Sequence, residues 1–195
     1  MLDPHNLPKR MTRPQLEWWI LFGICVAGKS ATQTQVKLDG LLAEMQVFLS
    51  VHTLTPFGCV RWAIEGGQLG RLLRKHRMGK YKLFGKAFRA AINLDLNNIS
   101  VKALEKVPGI GPKTARMTIL YYEPGANVVP LDTHILKFMR SLGHDAPKST
   151  PSGRRYLELE KAFVAEAKRR GKTVRELDTE VWTKYARQPM EPAVA

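Results

Sequence analysis

An all-α fold is what this sequence predicts, and three observations predict it. Apolar residues recur at helical spacing from Trp18 to Tyr185. No stretch shows the period-two alternation of a half-buried strand, and no internal repeat is visible. Glycine and proline fall between the periodic segments and leave short connections.

Taken in order, residues 1–13 are polar, contain proline and are expected to be loosely held. Pro14 opens a helix from Gln15 to about Gly28 whose Trp18, Trp19, Leu21, Phe22 and Ile24 make it apolar nearly all round, as a central buried helix is. After Gly28-Lys29-Ser30, Leu38, Leu41, Leu42, Met45, Phe48 and Leu49 mark a second helix. Thr55-Pro56 starts a third, ended by Gly66-Gly67, and Leu69, Leu72 and Leu73 mark a short fourth. The basic loop Lys75 to Lys80 precedes a fifth helix carrying Tyr81, Phe84, Phe88, Ala91 and Ile92.

Ser100 to Lys106 reads as a short helix with Ser100 as N-cap. Pro112 to Tyr122 reads as another, since proline suits a first helical turn. Glu123 to Asn127 is a turn, and Val128 to Leu131 is extended because a residue before proline avoids the α region. Asp132-Thr133 heads a helix with Ile135, Phe138, Met139 and Leu142. Arg154 to Arg170 forms a long charged helix stopped by Gly171. Thr173 and Glu176 make a capping box for a last helix through about Arg187.

The chain of 195 residues carries 31 Lys+Arg against 17 Asp+Glu, a formal charge of +14, which points to a polyanionic partner such as DNA or RNA. Cys25 and Cys59 are the only cysteines; two thiols cannot make a four-thiolate cluster, and buried free thiols are the default. Trp18 to Ala27 is too short to span a bilayer and no targeting core precedes it. A soluble intracellular protein is therefore expected, cytoplasmic or, in a eukaryote, nuclear.

Chemistry concentrates in Val107-Pro108-Gly109-Ile110-Gly111-Pro112-Lys113-Thr114-Ala115. Two glycines allow a tight reversal and close approach of another molecule to the backbone. The amides of Gly109 and Gly111, with Ile110 and Thr114 beside them, lie at a helix N-terminus, where orphan donors and the dipole favour a phosphate. Lys113 sits where that dipole opposes an ammonium and favours the free amine, the nucleophilic form. Asp132 follows after one helix outward and an extended return, so both side chains can face one cleft. Singly, Lys113 reads as a phosphate contact and Asp132 as a helix cap. Lys29, Arg77, Lys80 and Lys82 read as phosphate contacts as well.

Together, the hairpin and Val129-Pro130-Leu131-Asp132-Thr133-His134-Ile135 resemble the helix-hairpin-helix DNA glycosylases of the endonuclease III superfamily. Gly79-Lys80-Tyr81 is similar to that family's Gly-Leu-Tyr loop, and Val181 to Tyr185 to the aromatic helix before its metal cluster. The resemblance implies two helical lobes with the active cleft between them. One is a six-helix barrel, 15–126, containing the hairpin and its helices at about 100–122. The other joins 1–14 to 127–195 and carries Asp132. It implies a base-excision glycosylase with abasic-site lyase activity, acting on duplex DNA that holds a damaged base. Oxidised pyrimidines come first and 8-oxoguanine second. Lys113 would attack the sugar C1′ and Asp132 would stabilise the developing positive charge. A monofunctional mismatch or uracil-type enzyme, and a non-catalytic DNA-binding module, are the alternatives.

The resemblance also implies a monovalent cation at the hairpin carbonyls; no other cofactor is expected. Many relatives hold an iron–sulfur cluster on four cysteines near the C-terminus. This chain finishes with Gln188 to Pro192 and no cysteine near them, so the cluster is expected to be absent. The short leader suggests a reduced first helix. Where relatives insert Gln and Leu into the duplex, this chain has Lys29 and Lys80, which leaves Tyr81, Met78 or Lys29 to wedge. A monomer is expected.

Overall fold

A computed structural model describes residues 3, 6–49 and 54–186. Among the described residues there are ten helices and no strand, so the fold is all-α. The expected last residue of the final helix, Arg187, and the segment Gln188 to Pro192 lie outside the described residues, as do the side chains of Phe48 and Leu49.

Helix α1 (Arg13–Val26) is the centre of the larger core, packing against α2 (Ala31–Leu49), α3 (Pro56–Glu65), α5 (Tyr81–Ala91) and α7 (Pro112–Tyr122). It begins two residues before the expected Gln15 because Thr12 and Gln15 form a capping box. Every residue from Leu16 to Cys25 is buried, Trp18 and Trp19 among them, so both tryptophans are core as their spacing suggests. The charged member of that run is Glu17, whose carboxylate accepts the Phe57 amide at 2.9 Å and so caps α3 from another helix. Short α4 (Leu69–Lys75) closes this group by packing on α3 and α5.

The hairpin helix α6 (Val101–Leu104) is shorter than its sequence suggests. Ser100 caps it through the Ala103 amide at 3.2 Å, but the amides of Lys106 and Val107 already turn back on Ala103 and Leu104 as the chain tightens into the reversal. α7 then leads by the extended segment 128–131 into α8 (Thr133–Ser141), α9 (Gly153–Arg169) and α10 (Val174–Ala186), the last packing on α7, α8 and α9. Thr173 and Glu176 form the expected capping box.

Buried side chains fall into two clusters. One joins α1 to α5 with the hairpin and ends at Ile119; the other starts at Leu120 and gathers the extended segment with α8, α9 and α10. The leader is better held than its composition suggests. The Arg175 guanidinium donates to the carbonyls of Leu7, Pro8 and Lys9 and to that of Tyr121, and stacks 5.0 Å from the Tyr121 ring. None of the described helices is long and apolar enough to cross a membrane.

Candidate nucleic-acid interface and active site

The reversal between α6 and α7 rests on Gly109, whose φ of +88° is open to glycine at little cost. The Ile110 amide donates to the Val107 carbonyl at 3.0 Å, and the Ile110 side chain is buried. Ile110 is thus the anchor of the turn and does not face outward. Gly111 is different. Its backbone is extended, and a Cβ there would meet nothing within 4 Å. Neither torsion nor packing calls for glycine at this position, so the bare backbone suits close approach by another molecule. With Pro112 opening α7, the amides of Gly111, Lys113 and Thr114 present the unpaired donors of a helix N-terminus. Thr114 itself turns its methyl toward α1, where a Cβ on Gly23 would come within 3.0 Å of it.

Gly109 packs on Leu83 of α5, which brings the hairpin alongside a shallow groove lined by Lys80, Tyr81, Lys82 and Leu83. Tyr81 and Leu83 are exposed there. Lys29, Arg77 and Lys80 are brought to the neighbouring loops: the Lys29 amine donates to Met78 O and Lys80 to Ala27 O. Met78 is 2 % exposed and cannot serve as a duplex wedge. Lys29 lies 4.6 Å from the Phe84 ring centroid, which also ties it down. Of the three wedge candidates, Lys29 and Tyr81 are exposed, and Tyr81 lines the groove beside the hairpin.

Lys113 is exposed on the first turn of α7 and Asp132 is half-buried at the start of α8. Asp132 caps α8: its Oδ1 accepts the amides of His134 and Ile135, both at 2.9 Å. Its Oδ2 has no hydrogen-bond partner among the described residues. What holds Asp132 near α7 is a buried polar network. Arg116, one turn after Lys113, donates to Glu160 at 2.7 Å and to Glu105 at 2.9 Å. Glu160 in turn accepts the Val129 amide at 3.0 Å. The Tyr156 hydroxyl donates to Val129 O and accepts the Leu131 amide. The extended segment that delivers Asp132 is therefore fastened at the Val129 amide and carbonyl and at the Leu131 amide.

A residue that the sequence did not single out links the two. Asp178 of α10 is 4 % exposed and accepts the Tyr121 hydroxyl at 2.7 Å. Burial pushes its carboxyl up to about 7; Asp132 adds to the rise, while the Tyr121 bond and the Lys113 ammonium oppose it. Both charged side chains thus act on one buried acid. Its only sequence signal is an acidic residue on the inner face of an amphipathic helix, which a solvated surface mimics. His134 points away from the cap and meets Trp182 edge-to-face at 6.0 Å. Tyr185 is buried as expected of a packing residue, but Trp182 is 44 % exposed. Among the described residues, no three His, Cys, Asp or Glu side chains group as metal ligands.

Asp178 makes a prediction about stability. Its acid form is favoured in the fold, so the folded chain binds more protons than the unfolded chain between about pH 4 and 7. Its contribution is therefore complete below the ordinary carboxylate range and lost as pH rises to about 7, a change on the order of 4 kcal/mol. Asp178→Asn keeps an acceptor for Tyr121 and removes the charge. Urea unfolding at pH 5 and pH 8 should show the variant gaining on the wild type at the higher pH; a constant difference would contradict the burial argument.

Residues 94–121 match the helix-hairpin-helix motif, which spans the approach to α6, the hairpin and α7. No solved structure matches the chain significantly. The motif suggests DNA binding, in agreement with the open amides and the basic rim.

Proposed function

We propose that this protein is a base-excision DNA glycosylase with an associated abasic-site lyase. What supports the proposal is that the charges of Lys113 and Asp132 are both felt by the buried Asp178 carboxyl, and that Lys113 opens the helix after a hairpin suited to a DNA phosphate. Binding by the hairpin would hold the strand so that attack on an extruded nucleotide becomes effectively unimolecular. Extrusion costs roughly a few kcal/mol and least for a damaged base, which supplies part of the selectivity.

The Lys113 nitrogen attacks C1′ through its lone pair and the C1′–N bond breaks, its electron pair leaving with the base, which takes up a proton. Asp132 stabilises the positive charge at C1′ and accepts a proton from the attacking nitrogen. The two amide donors on its Oδ1 fix the carboxylate and leave Oδ2 to face the sugar. Ring opening gives a Schiff base between Lys113 and C1′; loss of a C2′ proton then expels the 3′ phosphate and cuts the strand. The hairpin's Leu104 and Val107 carbonyls accept one amide each, and their second lone pairs would hold a monovalent cation there, adding positive charge against the phosphate.

A panel of duplexes with different lesions, assayed for base release and nicking, tests the proposal and names the substrate base. Base release without nicking would favour the monofunctional enzyme. The cap role of Asp132 favours a second reading, a helical module that grips DNA without chemistry; it predicts binding with no lesion preference and neither product. Asp132→Asn separates the readings further. Asparagine is as good an N-cap as aspartate, so stability should change by only a few tenths of a kcal/mol, about the cap-to-cap difference. Duplex binding should persist while base release falls by about a hundredfold or more. Unchanged turnover would remove Asp132 from the reaction.

A further inference from the structure

The first turn of α2 and the loop 77–80 enclose a second cavity, of about 180 Å³, lined by Lys29, Ser30, Gln33, Thr34, Lys37 and Met78. It is separate from the hairpin and from Lys113. Two of the six lining residues are ammonium groups and none is a carboxylate. Among the described residues, no salt bridge engages Lys29, Lys37 or the nearby Lys80.

Four features make this a prepared anion site. The helix behind it is 19 residues long, so its N-terminus carries the full positive end of the dipole, with Ser30 capping the Gln33 amide at 3.4 Å. Thr34, in the wall, is 3 % exposed, and its hydroxyl has no hydrogen-bond partner among the described residues. A buried hydroxyl left unmet is costly, and Thr34 is one of the residues that line the cavity. The lysines are also held in place. Lys29 donates to Met78 O, Lys37 to Arg77 O at 3.2 Å and Lys80 to Ala27 O at 3.2 Å, each keeping further N–H donors. These bonds clamp a loop in which Arg77 (φ 50°) and Lys80 (φ 44°) adopt left-handed backbone that side chains rarely take. Burial and the neighbouring Lys80 and Lys37 together press the Lys29 amine toward its neutral form, a repulsion that a bound anion would relieve.

We propose that this cavity binds a phosphate group, with Thr34, Lys29 and Lys37 as its donors, and that the group is a phosphodiester of the DNA strand whose backbone the hairpin also holds. The DNA part rests on the hairpin's binding of DNA and not on the chemistry of Lys113. The pocket gives the strand a second fixed point, reached from the same loops that carry Lys80 and the start of α5.

The test uses the full chain. Thr34→Val removes the hydroxyl at nearly constant shape, and the melting temperature should stay level or rise because an unmet polar group has gone. Affinity for a duplex should nevertheless drop about tenfold, the worth of a hydrogen bond to a charged group. Lys37→Gln should lower the slope of log affinity against log salt by about 0.9, one phosphate contact. Inorganic phosphate, titrated while the amide signals of Ser30 to Thr34 are followed, is the second arm. Millimolar competition with the duplex at those signals supports a shared phosphate site. Saturation by inorganic phosphate with duplex affinity untouched in both variants would assign the pocket to a free phosphate compound and overturn the strand contact. Unchanged affinity together with unmoved signals would overturn the site itself. Failure of the wild type to bind any duplex would instead overturn the DNA reading of the hairpin, and the phosphate arm would still decide the pocket.

Discussion

Lys113→Ala should abolish the covalent complex that borohydride is expected to trap between this protein and damaged duplex DNA, and strand nicking should fall to the level of a blank. That is the largest effect the proposed function predicts, because the substitution removes the nucleophile itself and no neighbouring amine replaces it in the first turn of α7. Lys113 is exposed, so stability should change by no more than about 0.5 kcal/mol. Duplex affinity should weaken only as far as one lost phosphate contact allows, less than about tenfold. Lys113→Arg sharpens the test: it keeps the positive charge and most of the binding, yet cannot form the Schiff base. Gel-resolved trapping with both variants separates charge from nucleophilicity, and a trapped species that survives either one places the covalent chemistry elsewhere.

Arg116→Met should be the most destabilising single change outside the apolar cores. Arg116 and Glu160 are 7 % and 8 % exposed, and the guanidinium also lies 4.3 Å from the Tyr156 ring centroid. Methionine fills much of the volume but leaves Glu160 buried with its charge uncompensated, a loss of about 3–5 kcal/mol. Glu160, which holds the Val129 amide of the extended segment, loses the partner that orients it, so Asp132 should drift and turnover fall with stability. Arg116→Met with Glu160→Gln keeps an acceptor for the Val129 amide and removes the stranded charge, and should recover much of the loss. Urea unfolding of the wild type, both single variants and the double variant measures this. A cost for Arg116→Met below about 1 kcal/mol, the scale of a solvated ion pair, would show that water screens the network.

Local chemistry was legible in the sequence, and pairing across the chain was not. Thr55, Ser100 and Thr173 cap the helices that their positions announce, and the hairpin Val107 to Ala115 reads directly from its glycines and Pro112. These depend on residues three or four apart. Glu17 capping α3, Arg116 pairing with Glu160, and Asp178 taking the Tyr121 hydroxyl all join positions at least 40 apart. Each of those acidic residues looks like a solvated helix face until the packing turns it inward. The same holds for Arg175, whose reach to the leader gives residues 7–9 an order that their composition does not suggest. Arg77 and Lys80 show the opposite case, in which a tertiary clamp overrides the backbone preference of both residues.

The division of the core at α7 has a calorimetric consequence. Ile119 belongs to the first cluster and Leu120 to the second, while Tyr121 packs against both. Neither cluster can melt without exposing one face of a helix that the other needs. Heat absorption should therefore come as one transition whose van't Hoff and measured enthalpies agree, not as two peaks. Cleaving the chain in the Glu123–Asn127 turn should leave the halves associated.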